Sequence, residues 1–222
     1  MNHTRTIITV ILAATLLAGC APRDAEPTPP PVAETPVETP TPEPTKPELA
    51  DLVLSPKGLG ALAIGEAPPV TNPEIDILIF DEDFCAEDVA SGAITEPGKW
   101  IANYPSDGTD YARFPFAALV LDDVLKNLVV DDPLIQTEGG IGVGSSLDEL
   151  LAAHPDAVRI PKTFMDLYVI AGTSGQLVFE VGTQDSIGYD PDIIWIAHVI
   201  SNDEEPYSWA NSDVGFTGCT HA

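Results

Sequence analysis

The sequence predicts an α+β domain: an antiparallel sheet with one or two short helices, built either as a degenerate tandem repeat or as two unrelated β-rich halves. Three observations carry this expectation. Several short runs are rich in β-branched and aromatic residues and end at Gly, Asp or Pro. One segment combines a helix cap with leucines at helical spacing. The order of elements in the first half loosely echoes that in the second.

The chain opens with a segment outside that domain. Residues 1–5 are polar with one positive side chain, Arg5, and residues 6–18 (TIITVILAATLLA) are apolar. That run is too short for a membrane helix, which takes ~20 residues. Its layout is that of a secretory signal peptide over residues 1–19. The ending, Leu17-Ala18-Gly19-Cys20, resembles the lipobox of bacterial lipoproteins. The resemblance implies cleavage between Gly19 and Cys20 and a diacylglyceryl group on the Cys20 sulfur, a thiolate being the best nucleophile available for that transfer. Two acyl chains anchor a protein stably where one is marginal. The expected address is therefore extracytoplasmic, lipid-anchored to the bacterial cell membrane. Residues 20–50 form the lipidated cysteine and its stalk. Ten of residues 21–50 are proline, with Thr and Glu between them and no apolar period. Such a chain stays extended at ~3.1 Å per residue and cannot build a core. Thr28, Thr35, Thr39, Thr41 and Thr45 suit O-glycosylation.

The folded domain is expected over residues 51–222. In its first half GLGALAIGE (58–66) is followed by strand-like AALVLDD (117–123) and KNLVVDDP (126–133). APPVTNP (67–73) makes a helix after Gly65 doubtful. In its second half GGIGVGSS leads into a capping box, with Ser146 covering an orphan N–H and Glu149 reaching back to the serine. A helix over 147–154 follows, with Leu147, Leu150 and Leu151 on one face and Pro155 as the stop. Strands follow at 167–171, 175–182 and 192–201. In the last, Ile194, Ile196, His198 and Ile200 share one face, and Ile193, Trp195, Ala197 and Val199 the other. Both faces are apolar, which predicts a central strand covered on both sides.

The segment G-I-x-V-G-S-S-x-x-E-L, residues 140–150, is similar to the repeats of SmpA/OmlA-type outer-membrane-assembly lipoproteins and of β-lactamase inhibitory proteins. It also resembles actinobacterial lipoproteins that carry a GLG…IG segment, a GI.VGS segment and a C-terminal cysteine. The resemblance implies a protein that binds protein partners and is not an enzyme.

Charge narrows the partners further. There are 35 acidic and 9 basic side chains, a net charge of −26. That field repels nucleic acid, so no nucleic-acid partner is expected. It suits solubility outside the cell, or attraction for cations. Of the three cysteines, lipidation uses Cys20 and leaves Cys85 and Cys219 as a disulfide pair in an oxidising setting. The loop of about 135 residues makes this worth on the order of 4–5 kcal/mol in the chain-entropy account. Two free thiols or a metal pair are the alternatives.

No G-x-S-x-G, S-x-x-K, H-E-x-x-H or Walker loop is present, so no catalytic residue is assigned. The glycines at 140, 142 and 144 read as turn residues. His154 lies at a helix C-terminus, His198 on an isoleucine face and His221 in the tail. Carboxylates cluster in FDEDF (80–84), SDGTD (106–110), GYDPD (188–192) and SNDEE (201–205), but none keeps the EF-hand register. No metal or cofactor is therefore expected, although a cation-binding lipoprotein is the second reading and an envelope hydrolase the third. Trp100, Tyr104, Tyr207 and Trp209, with Tyr111 and Tyr189 in the same loops, are candidates for an interaction surface toward an envelope protein. The leading expectation is a non-catalytic binding or protein-interaction module.

Overall fold

β-Branched runs dominate the domain, and in the computed structural model they pair into two sheets. The structure describes residues 44–84, 86, 98–105 and 114–210. Gly19, Cys20, Cys85, Cys219, Tyr111, His221, the SDGTD loop and the glycosylation candidates before residue 44 lie outside them.

The larger sheet has eight strands, all paired antiparallel. In chain order these are β4 (Leu78–Asp81), β5 (Lys99–Ala102), β6 (Phe116–Leu121), β7 (Val124–Val130), β9 (Val158–Pro161), β10 (Met165–Ala171), β11 (Gly175–Gly182) and β12 (Ile194–Ser201). Their spatial order is β4-β5-β6-β7-β12-β11-β10-β9, so two four-stranded meanders meet along their last strands. The smaller sheet takes β1 (Val53–Ser55), β2 (Gly58–Leu59), β3 (Leu62–Ala63) and β8 (Gln136–Thr137), in the order β3-β2-β1-β8. Its β1–β8 pair is parallel.

The expected α+β balance is corrected to a mostly β domain. Helix α1 (Leu147–Ala153) is the one α-helix complete among the described residues. Only there does a cap precede a leucine face; after Gly65, Pro68, Pro69 and Pro73 deny a helix its N–H donors. The Ser146 side chain accepts from the Glu149 N–H (3.3 Å) and the Glu149 carboxylate accepts from the Ser146 N–H (2.8 Å). These bonds pull the Glu149 carboxyl below its usual range. Leu150 is fully buried, but Leu151 is 38% exposed and does not share its face.

The core lies between the small sheet with α1 and one face of the large sheet. Leu54, Leu59, Leu62 and Leu150 meet Phe116, Leu128, Phe179, Ala197 and Val199 in one cluster. A smaller cluster of Leu167, Val169, Val178 and Ile200 lies on the opposite face. β12 is thus a central strand buried on both sides, for which its doubly apolar sequence is suited. One alternation is corrected. Ile194 joins the main core with Ala197 and Val199 instead of facing with Ile196, because Glu180 pairs with Ile196 and Val181 with Ile194, leaving Trp195 as a bulge. One extra residue inverts the parity of everything before it.

The first meander bulges likewise. Leu119 pairs with Asn127 and Val120 with Leu125, leaving Lys126 over. Just before each bulge a glycine grips the strand. The Gly65 N–H donates to the Leu125 carbonyl (2.8 Å) and the Leu125 N–H to the Glu66 carbonyl (2.9 Å). The Gly144 N–H donates to the Ile194 carbonyl (2.8 Å) and the Ile194 N–H to the Ser145 carbonyl (2.9 Å). Both glycines hold positive φ, +84° and +89°, a region that side chains enter only at a cost.

Candidate functional site

Three polar side chains are buried in this mostly apolar sheet: Asn127, Glu180 and His198. Burying such groups is costly unless they find partners. All three lie on the second face. Glu180 and His198 alternate with core residues of β11 and β12, and Asn127 sits opposite Ile200 on β7.

Their partners come from the segment after β12. Glu180 accepts three hydrogen bonds from it: from Ser208 Oγ (2.5 Å), from the Trp209 N–H (2.7 Å) and from the Ala210 N–H (3.1 Å). Asn127 Nδ2 donates to the Tyr207 hydroxyl. The Tyr207 ring stacks on His198, with centroids 5.6 Å apart and planes 27° apart. Burial, and then the nearby Glu204 charge, pushes the Tyr207 hydroxyl up to about 12. His198 Nδ1 lies 3.4 Å from Glu180 Oε1, within ion-pair reach but not aligned as a hydrogen bond. Among the described residues, Asn127 Oδ1 and His198 Nε2 also have no hydrogen bond.

Residues 207–210 therefore form a strap held through side chains and not through strand pairing. The turn leading to it is pinned too. Gln176 Nε2 donates to the Ser201 and Glu204 carbonyls (3.3 and 3.1 Å), and Asn202 Nδ2 to the Gly172 and Thr173 carbonyls (3.2 and 3.1 Å). Beside Tyr207 and Ser208 an open depression of about 600 Å³ extends over Pro161, Lys162 and Thr163.

The cluster holds a short segment of the chain through Glu180. In a Ser-His-Asp triad the serine hydroxyl donates to an imidazole. Here Ser208 gives its hydrogen bond to the carboxylate, whose oxygens also hold two backbone N–H groups. A carboxylate accepting three donors from one short segment holds polypeptide by its main chain as well as its side chains.

The four aromatics proposed as an interaction surface divide between two places. Tyr207 and Trp209 belong to the strap, their rings 5.4 Å apart. Trp100 packs on the main core with Phe80 at 5.4 Å. Tyr104 also packs there, donating its hydroxyl to the Pro47 carbonyl (2.8 Å), with the Lys46 ammonium 5.1 Å from its ring. Burial and the charges of Glu48 and Asp51 raise the Tyr104 pKa. Tyr189 meets Trp195 edge-on at 5.1 Å.

The acidic loops that are described spend oxygens locally. Asp81 accepts from the Asp83 N–H (3.0 Å), Asp203 from the Ser201 hydroxyl, and the Asp190 carbonyl from Trp195 Nε1 (3.1 Å). Among the described residues no group of three His, Cys, Asp or Glu is placed to hold a metal ion. No described helix is long and apolar enough to cross a membrane.

Sequence reasoning passed over Glu180 and Asn127. The available signal was a lone acid inside GQLVFEVG and a lone amide inside KNLVV, each in a run otherwise fit for burial. Comparison with protein-family models, curated proteins and solved structures finds no match to the chain.

Proposed function

We propose that the chain is a lipid-anchored envelope protein, tethered through Cys20 and a proline-rich stalk, whose domain is a non-catalytic module that binds a protein partner. The observation that carries this reading is the use made of Asn127, Glu180 and His198: together they hold a short, bent stretch of polypeptide against a sheet face.

The module is a degenerate tandem repeat in this reading. Support comes from three correspondences between its halves: a four-stranded meander in each, a positive-φ glycine gripping the last strand in each, and a bulge directly after the gripped residue. Leu125 then corresponds to Ile194, Leu119 to Glu180 and Val129 to His198. On the first-half side of the second face Leu119 and Leu121 are 44% and 51% exposed, which suits a surface that meets another protein.

The test is capture from envelope extract on the immobilised chain carrying Cys20→Ser, which blocks lipidation. A discrete protein should bind saturably, and Leu119→Glu with Leu121→Glu should weaken its capture at least tenfold. Turnover of a small-molecule or polymer substrate, lost in a folded His198→Ala variant, would overturn the reading in favour of an enzyme.

A further inference from the structure

The strap occupies its place imperfectly. It satisfies Glu180 with three donors, yet among the described residues Asn127 Oδ1 and His198 Nε2 stay buried without a hydrogen bond. A buried acceptor left unmade costs more than a made bond returns. An occupant that supplied a donor to Asn127 Oδ1 would satisfy one atom that the chain's own segment does not. The strap is also exchangeable in kind: it makes no strand ladder, Tyr207 is 36% exposed, and the open depression at Pro161–Thr163 adjoins it. Two of the three positions that grip it, Glu180 and His198, belong to the second meander, while Asn127 reaches it from β7 of the first. Leu119 and Val129 stand in the first meander where Glu180 and His198 stand in the second.

We propose that the second face around Asn127, Glu180 and His198 is a peptide-recognition groove, that Tyr207–Ala210 is its resident occupant, and that it takes a short segment of a partner protein, bent in the same way, in which arginine replaces Tyr207. This rests on the reading of the domain as a protein-binding module and names its site and partner class. Glu180 reads a hydroxyl and two successive N–H groups in the segment, a register-specific contact. At the Tyr207 position an arginine stacks flat on the His198 ring and offers planar donors to Asn127 Oδ1, giving up the Tyr207 hydroxyl as acceptor for Asn127 Nδ2. Its charge also suits a chain of net charge −26.

The experiment uses the unlipidated full chain and two labelled synthetic peptides: residues 205–210 of this sequence, and the same peptide with arginine at the Tyr207 position. Anisotropy titrations are run on the wild type, on Tyr207→Ala, which weakens the resident strap, and on Tyr207→Ala with Glu180→Leu. Both peptides should bind Tyr207→Ala at least tenfold more tightly than wild type. The arginine peptide should bind at least tenfold more tightly than the native one. The Glu180→Leu change should remove both. Circular dichroism checks that each variant stays folded. The proposal is overturned if neither peptide binds folded Tyr207→Ala, or if binding survives loss of Glu180. It is also overturned if light scattering shows Tyr207→Ala dimerising without peptide binding, which assigns the groove to strap exchange between copies. Envelope capture that persists without peptide binding sinks the groove and leaves the binding-module reading standing; loss of capture with peptide binding intact does the reverse.

Discussion

Replacing Glu180 with leucine removes the acceptor of three hydrogen bonds while leaving a side chain suited to a buried site. Each lost bond is to a carboxylate, worth roughly 1.5–3 kcal/mol. Three of them, to Ser208, Trp209 and Ala210, sum to about 4.5–9 kcal/mol gross. The net cost is smaller. The strap can lift away and hydrate its own N–H groups, and the new leucine gains from burial, so about 2–4 kcal/mol of strap docking is expected to go. At 1.4 kcal/mol per tenfold, the Trp209 and Ala210 amides should exchange with solvent about 30- to 700-fold faster. The assay is native-state amide hydrogen exchange followed by NMR, with amides of β11 and β12 away from the strap as internal controls. Unchanged protection at Trp209 and Ala210 refutes the argument, because it means that the strap is held by something other than this carboxylate.

Other expectations test the frame. Leu150→Ala removes the one fully buried side chain of α1 and should cost about 2–5 kcal/mol by urea denaturation, whereas Leu151→Ala should cost under about 1 kcal/mol. Gly65→Ala and Gly144→Ala meet nothing within 4 Å, so each should cost only its backbone penalty, about 1–2 kcal/mol and closely equal. Gly175→Ala should cost more in the same assay, since its Cβ would stand 2.6 Å from the Ile200 carbonyl oxygen and 2.7 Å from that of Pro56. Burial, and then the Asp203 charge, raise the Glu204 pKa in the folded state. A carboxyl raised on folding contributes stability below its unfolded pKa, roughly 4.3, and loses it as pH climbs through the folded value. Glu204→Gln should therefore raise the melting temperature at pH 7, with the gain fading toward pH 4; a gain of equal size at both pH values refutes the assignment.

Local interactions are what the sequence alone could determine. The cap at Ser146 and Glu149 joins residues three apart, the prolines after Gly65 act on their own turn, and the doubly apolar run at β12 states its own burial. These follow from bond geometry and side-chain chemistry within a few residues. Sheet order, the parallel β1–β8 pair and the bulge at Trp195 depend on partners far along the chain, so period-two counting put Ile194 on the wrong face. The grip belongs to the same class. Asn127, Glu180, His198 and Tyr207 span 80 residues, and only antiparallel pairing through β7, β12 and β11 sets them side by side. Alone in an apolar run, Glu180 reads as an error of composition. Its meaning comes from three donors brought back to it by the chain after β12, because a buried charge is tolerated only where tertiary structure completes its hydrogen bonds.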